Sequence, residues 1–79
     1  MNKNFEKMVG NNIRMMREKK GLTQDMLSAK LQTNGCDITR SALAKIEVGQ
    51  RHLYIDELVL IKNILNIQFE DILTNTIPK

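Results

Sequence analysis

The sequence has 79 residues, and its 12 Lys and Arg against 9 Asp and Glu give a formal net charge of +3. This length has room for one domain, and 42% hydrophobic with 27% charged residues is typical of a globular protein. The single cysteine, Cys36, excludes an internal disulfide and a multi-cysteine zinc site. Together with a single histidine, His52, it offers no set of side chains for catalysis or metal binding. We therefore expect no enzyme activity, no cofactor and no metal.

The basic residues are concentrated in the first part of the chain. Residues 1–45 carry nine basic and four acidic side chains, whereas residues 46–79 carry three basic and five acidic ones. Either one end of the molecule faces an anion, or the imbalance is random on a solvated surface. The longest purely apolar run, residues 58–61, is far shorter than the ~20 residues of a membrane span. Since charges interrupt the N-terminus at Lys3, Glu6 and Lys7, we predict no signal peptide, no membrane partner and a cytoplasmic location.

Apolar residues at helical spacing predict the first two helices. The first helix, about residues 5–20, places Phe5, Met8, Val9, Ile13 and Met16 on one face. We expect Gly21 to end it and Thr23 to cap the second helix, about residues 24–34. Asn34 and Gly35 then form the next stop signal.

Three further helices follow in the second half of the chain. Thr39 is the expected cap of a helix over about residues 39–48, which Gly49 ends. Asp56 is the expected cap of a helix over about residues 56–66, and a short helix follows at about 68–73. Pro78 marks a frayed end. Because no stretch alternates with a period of two, we predict an all-α fold: a compact bundle of about five short helices in one domain, residues 1–79.

The third helix divides into two faces. At about 100° per residue, the side chains of Arg40, Ser41, Ala44 and Lys45 share one arc, and the opposite arc is apolar. Arg and Lys can donate to guanine, Ser can pair with several bases, and Ala can contact a thymine methyl group, so this arc suits a DNA major groove. The alternative is the ordinary solvated face of an amphipathic surface helix.

Taken together, these motifs resemble the Xre family of helix-turn-helix proteins, which contains the phage lambda-type repressors and Cro. The resemblance covers about residues 9–73 and rests on residues 9–14, 17–24, 27–31, 38–47, 49–51 and 58–65. The combination of Ile46, Glu47, Gly49 and Arg51 is the most specific part. It implies a lambda-repressor-like DNA-binding domain.

The resemblance also implies roles for individual residues. Base contacts fall on Arg40, Ser41, Ala44 and Lys45, and backbone contacts on Gln24, Thr39, Gln50 and Arg51. Arg17 and Glu47 match a structural ion pair that ties the first helix to the third. One departure is the segment at residues 32–37, about five residues longer than the common family pattern. This segment could touch DNA or cover the core.

Other residues receive simpler interpretations. We expect Cys36 to be a partly buried, inert thiol, and Ser28 to be a small residue for helix packing. Met8, Met16 and Met26 are assigned to the core, and Met15 to the surface. Apolar residues near the fourth helix exceed the needs of so small a core, which predicts a homodimer interface at Tyr54, Leu60, Ile64 and Phe69.

The predicted function is sequence-specific binding of double-stranded DNA by a homodimeric transcriptional repressor. The alternative is a protein-interaction or adaptor module of the same fold with weak or no DNA binding. The sequence does not choose among a phage-type repressor, an antitoxin and a restriction controller, nor does it give the operator.

Overall fold

The computed structural model describes residues 3–74, which form five α-helices and no strand. The helices are α1 (Lys3–Lys19), α2 (Gln24–Thr33), α3 (Arg40–Glu47), α4 (Ile55–Leu65) and α5 (Phe69–Leu73). The all-α prediction is confirmed, and the predicted helix ends differ from these by at most two residues. Pro78 lies outside the described residues. No helix of the described part of the chain combines the length and apolar character that crossing a membrane requires.

The helix ends follow local hydrogen-bond chemistry. The hydroxyl oxygens of Thr23 and Thr39 accept hydrogen bonds from the backbone N–H groups of Met26 and Ala42, at 3.0 and 3.1 Å, and so cap α2 and α3. The prediction that Asp56 caps α4 is wrong, because α4 already begins at Ile55. A carboxylate three residues after the cap satisfies the free N–H there instead: Oε1 of Glu57 accepts from the N–H of Tyr54 at 3.1 Å.

The core lies where α1 packs against α3 and α5, and where α2 packs against α3 and α4. Its fully buried side chains are Ile13, Leu27, Leu31, Ile38, Leu43, Ile46, Ile61, Leu65 and Ile72. Met16 is buried, Met8 is partly buried against the core and Met15 is exposed, as expected. The assignment of Met26 to the core is wrong: it lies in the first turn of α2, 46% exposed, with its sulfur 3.5 Å from the backbone nitrogen of Thr23.

Within the longer segment at residues 32–37, only Cys36 is partly buried and packs against the core; the other five residues are exposed, and the buried anchor is Ile38, which follows the segment. Ile38 is completely buried, and its carbonyl oxygen accepts hydrogen bonds from Ser28 Oγ at 2.8 Å and Gln32 Nε2 at 3.2 Å. Ser28 therefore anchors the start of α3 in addition to being small. Cys36 is partly buried, and burial raises the pKa of its thiol, as expected of an inert cysteine.

Candidate nucleic-acid interface

The side chains of α3 divide between the core and solvent. Leu43 and Ile46 are buried, whereas Arg40, Ser41 and Lys45 are exposed. Ala44 is half-buried, so its exposure is intermediate between those of the two groups. The structure thus brings the four predicted base-contact residues onto one outward face, with two cations, a hydroxyl and a methyl group.

A buried ion pair holds the far end of α3 against α1. Arg17 Nε donates to Glu47 Oε2 at 2.7 Å, and Arg17 Nη2 donates to Glu47 Oε1 at 3.0 Å. The remaining Nη1 donates to the carbonyl oxygen of Leu22 at 2.8 Å. Hydrogen bonding to Glu47 raises the pKa of Arg17, so the guanidinium stays charged. The position of α3 therefore depends on a charge pair buried at the junction with α1.

Gln24 belongs to the same network. Its Nε2 donates to Glu47 Oε1 at 3.0 Å, so that the carboxylate is bound by α1 and α2 together. The resemblance implies that Gln24 contacts DNA backbone, and the structure gives its amide a neighbour within the protein. Sequence reasoning missed this bond, because no spacing pattern relates residues 24 and 47.

The loop after α3 lies close to α1. Gly49 has a φ of +79°, a conformation that side-chain-bearing residues rarely adopt, and a Cβ there would lie 2.9 Å from Lys7 Cα. Gln50, which follows, is exposed. The loop can turn against α1 only because residue 49 carries no side chain.

Arg51 is bound to the start of α4. Its Nη1 and Nη2 donate to the two carboxylate oxygens of Glu57 at 3.0 and 3.1 Å, and Nη1 also donates to the carbonyl oxygen of His52 at 2.9 Å. The Arg51 guanidinium also lies 6.0 Å from the ring centre of Tyr54. Hydrogen bonding between the pair raises the pKa of Arg51 and lowers that of Glu57. The predicted backbone contact of Arg51 therefore falls on a cation that is already paired within the protein.

Arg40 has a looser acidic neighbour. Its Nε lies 3.7 Å from Asp25 Oδ1, and both side chains are well exposed. Asp25 lies in the first turn of α2. Since Thr39 caps α3 and Arg40 is its first residue, this contact joins the N-terminal turns of α2 and α3.

The residues predicted at a dimer interface fall into two groups. Tyr54 and Phe69 are exposed, whereas Leu60 and Ile64 are partly buried and pack against the core. Two other apolar residues of α4, Ile55 and Val59, are exposed, and Ile55 reaches 80%. We use the name apolar patch for the four exposed apolar residues Tyr54, Ile55, Val59 and Phe69; Ile55 and Val59 were not among the residues predicted from the sequence.

No group of three or more His, Cys, Asp and Glu residues within residues 3–74 is placed to hold a metal ion. Glu47 and Glu57 instead pair with Arg17 and Arg51. The chemistry that this surface offers is hydrogen bonding and charge.

Comparison with known proteins agrees with this arrangement. A family model described as Helix-turn-helix matches residues 13–72. The crystal structure of the DNA-binding domain of BldD superposes with a TM-score of 0.80 at 19% sequence identity, over 94% of this chain and 100% of that chain. No curated protein matches the sequence. At this low identity, the likeness to the BldD domain is a likeness of fold.

Proposed function

Because the chain belongs to the Xre-type helix-turn-helix family of DNA-binding transcription regulators, we propose that it is a sequence-specific repressor that reads double-stranded DNA with α3. The observation that carries this proposal is the outward face of α3: Arg40, Ser41 and Lys45 are exposed, while Leu43 and Ile46 fix the helix in the core. A helix held in this way can enter a major groove without losing its packing. The solved DNA-binding domain of BldD, which has the same fold, supports the choice of DNA as partner.

In the proposed complex, the outward face of α3 reads sequence. Arg40 and Lys45 donate to guanine acceptors, Ser41 pairs with a base edge, and the methyl group of Ala44 meets a thymine methyl. Phosphate contacts from Gln24, Thr39, Gln50 and Arg51 set the register. Gln24 is already bonded to Glu47, and Arg51 to Glu57. Each of the two side chains must therefore contact a phosphate while it keeps its bond to the glutamate, or give that bond up.

We further propose that the repressor acts as a homodimer through the apolar patch. Two copies related by a two-fold axis would place two α3 helices in successive major grooves ~34 Å apart, on a pseudo-palindromic operator. Such a protein could block transcription by occupying a promoter. We expect this activity in the cytoplasm, with no cofactor and no metal.

The test is selection of bound duplexes from a randomised DNA library, followed by affinity measurements on the selected site at several salt concentrations. We expect affinity to fall steeply with salt, because bound phosphates release counterions. Lys45→Ala should weaken binding to the selected site by about 1–3 kcal/mol and relax the base preference at one position. The control, Lys30→Ala, removes an exposed charge from α2 and should leave every base preference unchanged.

If the wild-type protein selects no sequence and binds no duplex in a salt-dependent manner, the repressor proposal is wrong. That result would favour the alternative, an adaptor module of the same fold that binds protein. If the Lys45→Ala variant keeps the base preference of the wild-type protein, Lys45 is not one of the residues that contact bases.

A further inference from the structure

Asp25 stands beside one of the residues proposed to read bases. It is the second residue of α2, and Arg40 is the first residue of α3. The contact is made by Arg40 Nε, 3.7 Å from Asp25 Oδ1, and the two side chains are 65% and 76% exposed. The pair therefore bridges the two helices on the solvent side, where the N-terminus of α2 and the outward face of α3 meet.

Neither the stability of an exposed ion pair nor simple attraction to DNA accounts for the contact between this carboxylate and Arg40. Ion pairs with such exposed side chains add little to the stability of a fold, because water screens them. Towards DNA, the charge of Asp25 is unfavourable, because it repels phosphate and offsets the attraction that Arg40 would otherwise supply. The N-terminal turn of α2 does favour an acidic residue, but that preference requires no contact with α3.

The geometry gives Asp25 an effect on how Arg40 is presented. An unpaired arginine side chain samples many rotamers, and a partner on one edge of the guanidinium restricts them. With Asp25 on the Nε side, the terminal Nη1 and Nη2 groups remain as a pair of donors. Two parallel donors match the O6 and N7 acceptors of guanine in the major groove.

We propose that Asp25 is a specificity-determining positioning residue: it orients Arg40 for guanine and penalises contacts of Arg40 with phosphate. This inference rests on the proposed function, since it assumes that α3 reads DNA. Asp25 thereby lowers the affinity for DNA in general while it raises the preference for one base. Specificity is a difference between affinities, so a repulsive group can increase it.

The experiment compares Asp25→Asn with a matched control. Asparagine keeps the size of the side chain and is well accepted near a helix start, but it has no charge. The control is Glu18→Gln, because Glu18 lines the same surface cavity as Asp25 and Arg40 but pairs with Arg14 at 3.3 Å. Both variants remove one negative charge from this side of the molecule, and only Asp25→Asn removes the partner of Arg40.

The readout is discrimination at one base pair. Arg40→Ala first identifies the base pair at which a guanine preference is lost. At that base pair we then measure a ratio: the Kd for the duplex with another base divided by the Kd for the duplex with guanine. We expect Asp25→Asn to lower this ratio by about 3- to 10-fold and to strengthen binding to unrelated duplexes. Glu18→Gln should leave the ratio unchanged, and Asp25→Asn should have no effect on it in the Arg40→Ala background.

Several results would overturn the inference. One is an equal gain in affinity of Asp25→Asn for all duplexes with the ratio unchanged, since Asp25 would then act by charge alone. The same conclusion follows if Glu18→Gln lowers the ratio as much, or if Arg40→Ala removes no base preference. These failures are distinct from failure of the proposed function, in which the wild-type protein itself binds no duplex and the inference falls with it.

Discussion

Glu57 joins two parts of the molecule through a single carboxylate. Its two oxygens accept from Arg51 in the loop after α3, and Oε1 also accepts from the backbone N–H of Tyr54 at the start of α4. These bonds favour the ionised form: above all, hydrogen bonding to the Arg51 guanidinium lowers the pKa of Glu57 below its ordinary value. Because the pKa is lower in the folded state, ionisation of Glu57 stabilises the fold at neutral pH.

The sign of the pH dependence follows from that lowered pKa. The contribution of Glu57 is fully present above about pH 4.5 and is lost as pH falls towards the folded-state pKa. We expect Glu57→Gln to reduce the free energy of unfolding by about 1–2 kcal/mol at pH 7 and to flatten its fall below pH 4.5. Urea denaturation followed by circular dichroism between pH 3 and 7 measures both effects.

Asp56→Asn is the matched control, because it removes the adjacent, exposed carboxylate. It should change the acid dependence less than Glu57→Gln does. An acid slope in Glu57→Gln equal to that of the wild-type protein would contradict a stabilising role for the ionised carboxylate.

Residue-level contacts were predictable only where a motif names both partners. The resemblance implied the pair of Arg17 and Glu47, and the structure contains it. The bonds of Gln24 to Glu47 and of Arg51 to Glu57 join residues 23 and 6 positions apart. Helical periodicity gives no information on such pairs, because they form where separate elements meet.

At the scale of elements, the approach of α1 to α3 depends on Gly10. Gly10 is buried within α1, and a Cβ at this position would overlap the carbonyl oxygen of Ile46 and lie 3.0 Å from the carbonyl carbon of Glu47. Any side chain must therefore push α3 away from α1. The same displacement would stretch the buried pair of Arg17 and Glu47.

We expect Gly10→Ala to destabilise the fold by about 1–3 kcal/mol, as overpacked cores do. The higher helix preference of alanine alone predicts the opposite, a gain in stability of about 1 kcal/mol. The sign of the change in the free energy of unfolding therefore decides between overpacking and helix preference. Thermal unfolding measures the change. Leu58→Ala on the partly buried face of α4 is the control, because it destabilises the fold by leaving a cavity and not by overpacking. A Gly10→Ala variant more stable than the wild-type protein would show that α1 and α3 can separate freely.

The helices themselves were largely predictable from the sequence. Caps such as Thr23 and Thr39, and stops such as Gly21, act through neighbours a few residues away, so the chain carries their signals locally. The errors occurred where two local signals compete. Asp56 resembles a cap but lies in the first turn, and Met26 follows the apolar pattern of α2 too close to its end to reach the core. The interface prediction for Leu60 and Ile64 stays a prediction; both are partly buried against the core, and the sequence does not show that extent of burial.

At the scale of the whole molecule, much of the arginine charge is already paired within the protein. Three arginines pair with glutamates: Arg14 with Glu18, Arg17 with Glu47, and Arg51 with Glu57. The net charge of +3 therefore says little about the proposed interface, where Arg40 and Lys45 matter most. The apolar patch lies instead on α4 and α5 and the residue that precedes α4.

The proposed homodimer predicts that a charge in the apolar patch will weaken association. Ile55→Lys introduces an ammonium at the most exposed apolar residue of α4, and we expect it to raise the dimer Kd by at least about 10-fold. Analytical ultracentrifugation over a range of concentrations measures this constant. Met15→Lys alters an exposed apolar residue of α1 and should leave the Kd unchanged. A wild-type protein that stays monomeric at every concentration, or an equal effect of both variants, would contradict the proposed interface.

The division of α3 into an exposed face and a buried face has a consequence for evolution. Substitutions at Arg40, Ser41 and Lys45 alter side chains that the core does not use, whereas Leu43, Ile46 and Glu47 are buried. If α3 reads DNA as proposed, a few substitutions at these exposed positions could therefore change the target sequence while every intermediate protein stays folded. Regulators that share this scaffold can diverge in the genes they control while they inherit the same buried residues.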